Sequence, residues 1–212
     1  MSTLVYMKLL EQTPAKYDRG MRLITLGRID RLRKLIATQW IEPGQDVLEL
    51  GCGTGTLAAM MTDGGASVLG IDVNDAMLTE AQKNAPDAEF GHLSAVELET
   101  LGHERFDRIV ATLSLSELTD DELGIVLRDA AKVLRPGGRL VIADEVEPDG
   151  TTRWLLTRLL RLLWAAVTFL LTQNTTHALT DIKPKLRDAG FRVLHDQRCL
   201  AGTLDLIVAE HP

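Results

Sequence analysis

Val47-Leu48-Glu49-Leu50-Gly51-Cys52-Gly53-Thr54-Gly55-Thr56 decides how this chain is read. An apolar run with one acid inside it has the makings of a buried strand. It leads into a turn with glycine at every second position, where the main chain can approach a ligand closely and a side chain would obstruct it. The spacing is G-x-G-x-G, and Thr56 stands where the dinucleotide fingerprint needs its third glycine. That departure weakens a dinucleotide reading of the turn.

Outward from this turn, short apolar runs alternate with helical patterns. The runs are 46–50, 68–71, 88–93, 106–111 and 139–143, and the helical stretches between them are 55–62, 75–84 and 119–134. Strand then helix, repeated, predicts an α/β fold whose mainly parallel sheet is covered on both faces. The best-marked helix opens at Thr119, where Glu122 completes a capping box, and Pro136-Gly137-Gly138 is expected to end it. Beyond Asp144 lies a stretch, 154–172, that is apolar almost all round, then a polar loop, 173–177, and a helix closing at Gly190. Two last runs, 192–196 and 203–210, are spaced for an antiparallel hairpin at the sheet edge.

A second strand ends at Asp72, whose carboxylate can accept hydrogen bonds from both hydroxyls of a ribose. NAD and S-adenosylmethionine share that requirement, and Glu49 separates them. A carboxylate beside the glycine turn would repel a pyrophosphate but can support the positively charged amino-acid end of S-adenosylmethionine. Read alone, Glu49 is a solvated strand end and Asp72 a helix cap before Asn74 and Asp75. Their joint occurrence around this turn favours the ligand reading.

The chain has 212 residues and is 45% hydrophobic, enough for one domain with a real core. Its formal charge of −7 argues against a general nucleic-acid binder, because neutralising phosphates dominates such binding. Residues 1–45 hold eight Lys and Arg against four Asp and Glu, and 151–173 hold three Arg and no acid, so the body between and after them is strongly acidic. The basic segments suit an anionic substrate, a partner or a lipid surface, or are solvated helix faces. Cys52 and Cys199 form neither a disulfide scaffold nor a metal cluster, no metal is expected, and the N-terminus carries no export signal, so a cytoplasmic location is expected.

These segments resemble the class I S-adenosylmethionine-dependent methyltransferases, of the type-11 group that includes the quinone-biosynthesis C-methyltransferases. Val47–Leu57 looks like the family's first motif, Gly70–Leu78 its acidic second segment, Phe106–Leu115 its fourth strand, and LRPGGRLVIAD (134–144) its fifth strand with the preceding turn. Tyr17, Asp18 and Leu26-Gly27-Arg28 resemble the N-terminal lid of the quinone-biosynthesis enzymes. YMKLLEQTPAKYDRGMRLITLGRID, SLSELTDDEL, IADEVEP and FLLTQNTT look like corrinoid protein-associated methyltransferases. The resemblance implies a Rossmann-like seven-stranded sheet with the last strand antiparallel, a helical lid over 1–45, a methyltransferase domain over 46–212 and an apolar insertion at about 152–175. It implies S-adenosylmethionine as cofactor, flanked by Gly51, Cys52, Gly53 and Gly55 and held at the ribose by Asp72. Val73 and Met77 would touch the adenine, Ala95 would present a backbone group, and Thr112 and Leu113 would line the methyl-donor end. Tyr17 would close over the cofactor. Ser94 is also expected at the cofactor, although it stands where many relatives have an Asp that accepts the adenine amino group.

Methyl transfer from a sulfonium is an in-line displacement in which alignment and exclusion of water can supply much of the acceleration, so no compulsory triad is expected. If the acceptor carries a proton, Glu117 after strand four, Asp144 and Glu145 at the end of strand five, and His177 are the candidates. For Glu117 the competing role is a charge at a helix start, and for His177 a surface histidine. Cys52 is a small filler of the turn, with no partner that would make it a nucleophile. Arg158 and Arg161 argue against 154–172 spanning a bilayer. A substrate-covering helix is preferred, with Trp154 and Trp164 as pocket wall or core, and peripheral membrane contact comes second. The expected acceptor is a corrinoid, free or held by a partner protein, or a lipophilic quinone precursor. A non-catalytic subunit that binds S-adenosylmethionine is the competing class.

Overall fold

The computed structural model describes residues 14–145, 182–199 and 204–212. Two helices, α1 (Pro14–Ile24) and α2 (Arg28–Gln39), precede the sheet. Then follow β1 (Asp46–Leu50), α3 (Thr56–Asp63), β2 (Ser67–Asp72), α4 (Asp75–Asn84), β3 (Glu89–His92) and β4 (Phe106–Thr112). The chain continues through α5 (Asp120–Val133), β5 (Leu134–Glu145), α6 (Ile182–Asp188), β6 (Arg192–Cys199) and β7 (Leu204–Glu210). The strands form one seven-stranded sheet in the order β3-β2-β1-β4-β5-β7-β6. The pairs from β3 through β5 are parallel, and β7 runs antiparallel to both β5 and β6. The mainly parallel Rossmann-like fold and its antiparallel last strand are as expected.

Alternation along the strands assigns the two faces, since successive side chains point to opposite sides. Val47, Val110, Val141 and Val208 pack with Ile29 and Ile36 of α2 and Leu57 and Met61 of α3. Leu48, Leu50, Ile109, Ile142 and Ile207 pack on the other face with Leu123, Val126 and Leu127 of α5 and with Leu186 of α6. Strand order reverses between β1 and β4, so the loops at their carboxyl ends part and leave the crevice in which open α/β sheets take ligands.

Several boundaries depart from expectation by one or more residues, two of them beside glycines. The first helix after the glycine turn starts at Thr56, with Gly55 as its N-cap in the left-handed conformation. Pro136-Gly137-Gly138 does not terminate α5, which ends at Val133. Leu134 already pairs with Phe106, and the next aligned pair is Arg108 with Arg139, so 135–138 form an irregular excursion at the start of β5. The expected Thr119–Glu122 capping box is present, and Gly190, at φ +90°, follows α6 as expected. Among the described residues no helix is long and apolar enough to cross a membrane. His177, Trp154, Trp164 and the whole stretch 152–175 lie outside the described residues.

Candidate active site

The glycine turn is fixed by main-chain bonds and by Asp72. The amide of Cys52 donates to the Ile71 carbonyl at 3.0 Å, and that of Gly53 donates to Asp72 Oδ2 at 2.9 Å. Asp72 Oδ1 accepts from the Asn74 amide at 2.9 Å. The helix cap is Asn74, whose side chain accepts from the Ala76 and Met77 amides, so Asp72 is left facing the turn.

A cleft of about 340 Å³ opens there, within the usual range for small-molecule sites. Tyr17, Glu49, Gly51, Cys52, Gly53 and Asp72 line it, as do Val73, Met77, Ser94, Ala95, Thr112 and Leu113. Gly55 is not on the wall. A Cβ there would come within 3.0 Å of Ala81, so this glycine serves the close packing of α3 on α4. Val73 is exposed and Met77 buried, which gives one end of the cleft a partly open apolar surface.

The segment after β4 is held from three sides. Leu113 adopts φ +56°, a strained conformation for a leucine, and its amide donates to the Ala143 carbonyl at 2.9 Å. Ser114 Oγ donates to the Leu50 carbonyl at 2.9 Å. Asp144 Oδ2 accepts from the amides of Leu115 and Ser116 at 2.9 and 3.1 Å. This corrects the expectation for Asp144, which is fully buried behind the wall and positions the segment without lining the cleft. Glu117, the last residue of the short 3-10 turn Leu115–Glu117, is exposed and does line it, beside Leu115 and Leu118. Glu122, also on the wall, accepts the Thr119 amide at 2.8 Å as the capping partner. Thr119 and Glu122 thus form the cap of α5, and Glu117 lies two residues before it, a position that also meets the alternative of a charge at a helix start.

Glu49 is 3% exposed, and its Oε2 has no hydrogen-bond partner among the described residues; the same is true of buried Thr112 Oγ1 on the same wall. Burial pushes the Glu49 carboxyl from its usual 4.5 up to about 8, opposed by the charge of Arg33 and reinforced by that of Asp72. A folded-state value above the unfolded one means that the native state binds the extra proton, so this contribution to stability is complete below about pH 4.5 and lost as pH rises to about 8. Glu49→Gln is therefore expected to match wild type in urea unfolding at about pH 5 and to be the more stable protein at about pH 8.5. Parallel pH profiles for the two would mean that Glu49 ionises freely in the folded state.

Arg33 is a site residue that the sequence reading did not single out, and Asp18, quoted there only within the N-terminal segment's resemblance, is its partner. Asp18 of α1 accepts from Thr54 Oγ1 at 2.6 Å and from Arg33 Nη1 at 3.0 Å, which joins both N-terminal helices to the glycine turn. Arg33 lines the cleft. The signal was helical spacing: Arg33 falls between Ile29 and Ile36, both fully buried, on the inward face of α2.

A doubly wound sheet with a carboxylate-pinned glycine turn and orphaned buried oxygens at its switch point defines a protein that binds a nucleoside-bearing small molecule. A sequence model for a methyltransferase domain matches residues 47–138. The chain is 30% identical to an uncharacterized methyltransferase of Synechocystis, over 93% of this chain and 92% of that protein. It is also 30% identical to a demethylmenaquinone methyltransferase of Clavibacter sepedonicus, over 66% of this chain but only 58% of that relative's length. Among solved structures, the 1,6-didemethyltoxoflavin-N1-methyltransferase of Burkholderia thailandensis, with bound S-adenosylhomocysteine, shares the fold at a TM-score of 0.67 and 22% identity, covering 96% of this chain and 87% of that one. The chain belongs to the class I S-adenosylmethionine-dependent methyltransferases.

Proposed function

We propose that this methyltransferase acts on an apolar aromatic acceptor that loses a proton, of the quinone-precursor type. The observation that carries the reading is Glu117, a carboxylate on the cleft wall between apolar neighbours, just past the end of β4. The likeness to a demethylmenaquinone methyltransferase supports the same acceptor class. When bound, S-adenosylmethionine supplies a methyl group on a positively charged sulfur. Asp72 accepts from the ribose hydroxyls, Val73 and Met77 flank the base, and Glu49 faces the α-ammonium. Thr112 and Leu113 border the methyl end, Tyr17 excludes water from the lid side, and Glu117 takes the acceptor's proton.

The test is to incubate methyl-labelled S-adenosylmethionine with a reduced demethylnaphthoquinone, with simple phenols and with reduced cobalamin in separate reactions. Label on the quinol or a phenol, and a loss of about 10²-fold in kcat for Glu117→Gln, is the expected result. A corrinoid, free or on a partner protein, is the acceptor that the motif resemblance suggests. Reduced cobalt is itself a strong nucleophile and needs no base. Label on cobalt alone, with Glu117→Gln as active as wild type, would overturn the proposal.

A further inference from the structure

Among the described residues, the two most exposed large apolar side chains are Leu26, at 78%, and Leu23, at 70%, and both sit at the corner between α1 and α2. Hydrogen bonds fix this corner. The Gly27 amide donates to the Arg22 carbonyl at 2.7 Å and the Arg28 amide to that of Thr25 at 3.1 Å, while the buried Thr25 hydroxyl donates to the Met21 carbonyl at 2.7 Å. Leu26 is held at φ +53°, a region that leucine disfavours, so a strained backbone points an apolar side chain at water. Arg19, Arg22 and Leu23 follow helical spacing along the outward stripe of α1, opposite buried Tyr17 and Met21. Arg28, Arg31 and Lys34 of α2 are exposed as well. Residues 14–39 carry seven Lys and Arg against two Asp, in a chain whose formal charge is −7. Both Asp are engaged, Asp18 with Thr54 and Arg33, and Asp30 with Arg22 and Arg33. An exposed leucine pair inside a basic rim, on an otherwise acidic molecule, is complementary to an anionic lipid surface: acyl chains take the leucines and headgroup phosphates the cations.

We infer that this corner is a docking surface for an anionic phospholipid bilayer. Two leucines are too few for a stable protein interface, which takes roughly 20–30 residues a side. A bilayer requires only a shallow apolar insertion joined to a basic patch, because the two weak signals add. The acidic remainder of the chain is repelled from an anionic leaflet while the corner is drawn to it, so α1 and α2 turn toward the lipid. The same helices place Tyr17 and Arg33 on the cleft wall, so the cleft of the docked protein lies about one helix diameter, roughly 10 Å, from the surface. The inference holds whichever acceptor the cleft takes.

Co-sedimentation with vesicles of phosphatidylcholine, with and without phosphatidylglycerol, is the test. Wild type is expected to pellet with the anionic vesicles, less so at high salt, and not with the neutral ones. Leu23→Ser combined with Leu26→Asn is expected to weaken that binding by about tenfold or more, and because asparagine tolerates a positive φ the fold is retained. Arg19→Gln combined with Arg28→Gln is expected to weaken it by about 10- to 30-fold at low salt and to flatten the salt dependence. Thermal unfolding and affinity for S-adenosylhomocysteine, measured on the same proteins, are expected to match wild type. No binding by wild type, equal binding to neutral and anionic vesicles, or binding that survives both double variants would overturn the inference. So would a wild-type dimer that forms without vesicles and is lost in the leucine variant, which would assign the corner to a second copy of the chain.

Discussion

Gly51→Ala is expected to destabilise the fold by roughly 2–5 kcal/mol, the sum of a left-handed backbone penalty and a steric one. Gly51 has φ +65°, and a Cβ at this position would lie 2.6 Å from the Cβ of Ser114. Ser114 has little freedom to retreat, because its hydroxyl donates to Leu50, the residue before Gly51, and its neighbour Leu113 is itself at φ +56°. The ends of β1 and β4 therefore meet at a contact that only glycine allows. Gly53→Ala is the matched control: its φ is +52°, but among the described residues no atom beyond its chain neighbours lies within 4 Å of the added carbon. It should cost only the backbone strain, about 1–2 kcal/mol. Urea unfolding of both variants, and of Gly51→Ala with Ser114→Gly, checks the division. The double variant is expected to recover the steric part, and equal losses for the two alanine variants would deny the close approach its role.

The same contact explains what the sequence could and could not reveal. A short, almost wholly apolar run followed by closely spaced glycines is a local signal, and β1 and α4 have the bounds read from the sequence, Asp46–Leu50 and Asp75–Asn84. The pairing of Leu134 with Phe106 is a long-range decision, and Pro136-Gly137-Gly138 reads as a helix stop when nothing reveals that the strand has already begun. Asp144 shows the limit at the site. A carboxylate at the end of a central strand looks as if it faces the crevice. The pleat instead places it on the face of Leu140 and Ile142, toward α5, where the amides of Leu115 and Ser116 take it up. Glu49 shares its parity with Val47, on the face covered by α2 and α3, and so meets the cleft from the side where Arg33 enters. Charge along a sequence distinguishes none of these outcomes; the strand on which the residue sits and its phase in the pleat do.

Asp72→Ala is expected to weaken S-adenosylhomocysteine binding by about 10- to 150-fold, the range for losing charge-assisted hydrogen bonds to a buried ligand. The carboxylate also holds the amides of Gly53 and Asn74, each at 2.9 Å, so part of that loss could come from a loosened turn and not from the ribose. Titration with the 2′-deoxy and 3′-deoxy forms of the ligand separates the two. Wild type is expected to bind each deoxy form more weakly than the parent, because Asp72 then lacks a donor. In Asp72→Ala the parent and deoxy ligands should bind alike, since the group that distinguishes them is gone. The turn contribution affects all three ligands equally and shows as a common offset. An Asp72→Ala protein that still prefers the parent ligand by the wild-type factor would place the ribose elsewhere in the cleft and leave Asp72 as a clamp on the glycine turn alone.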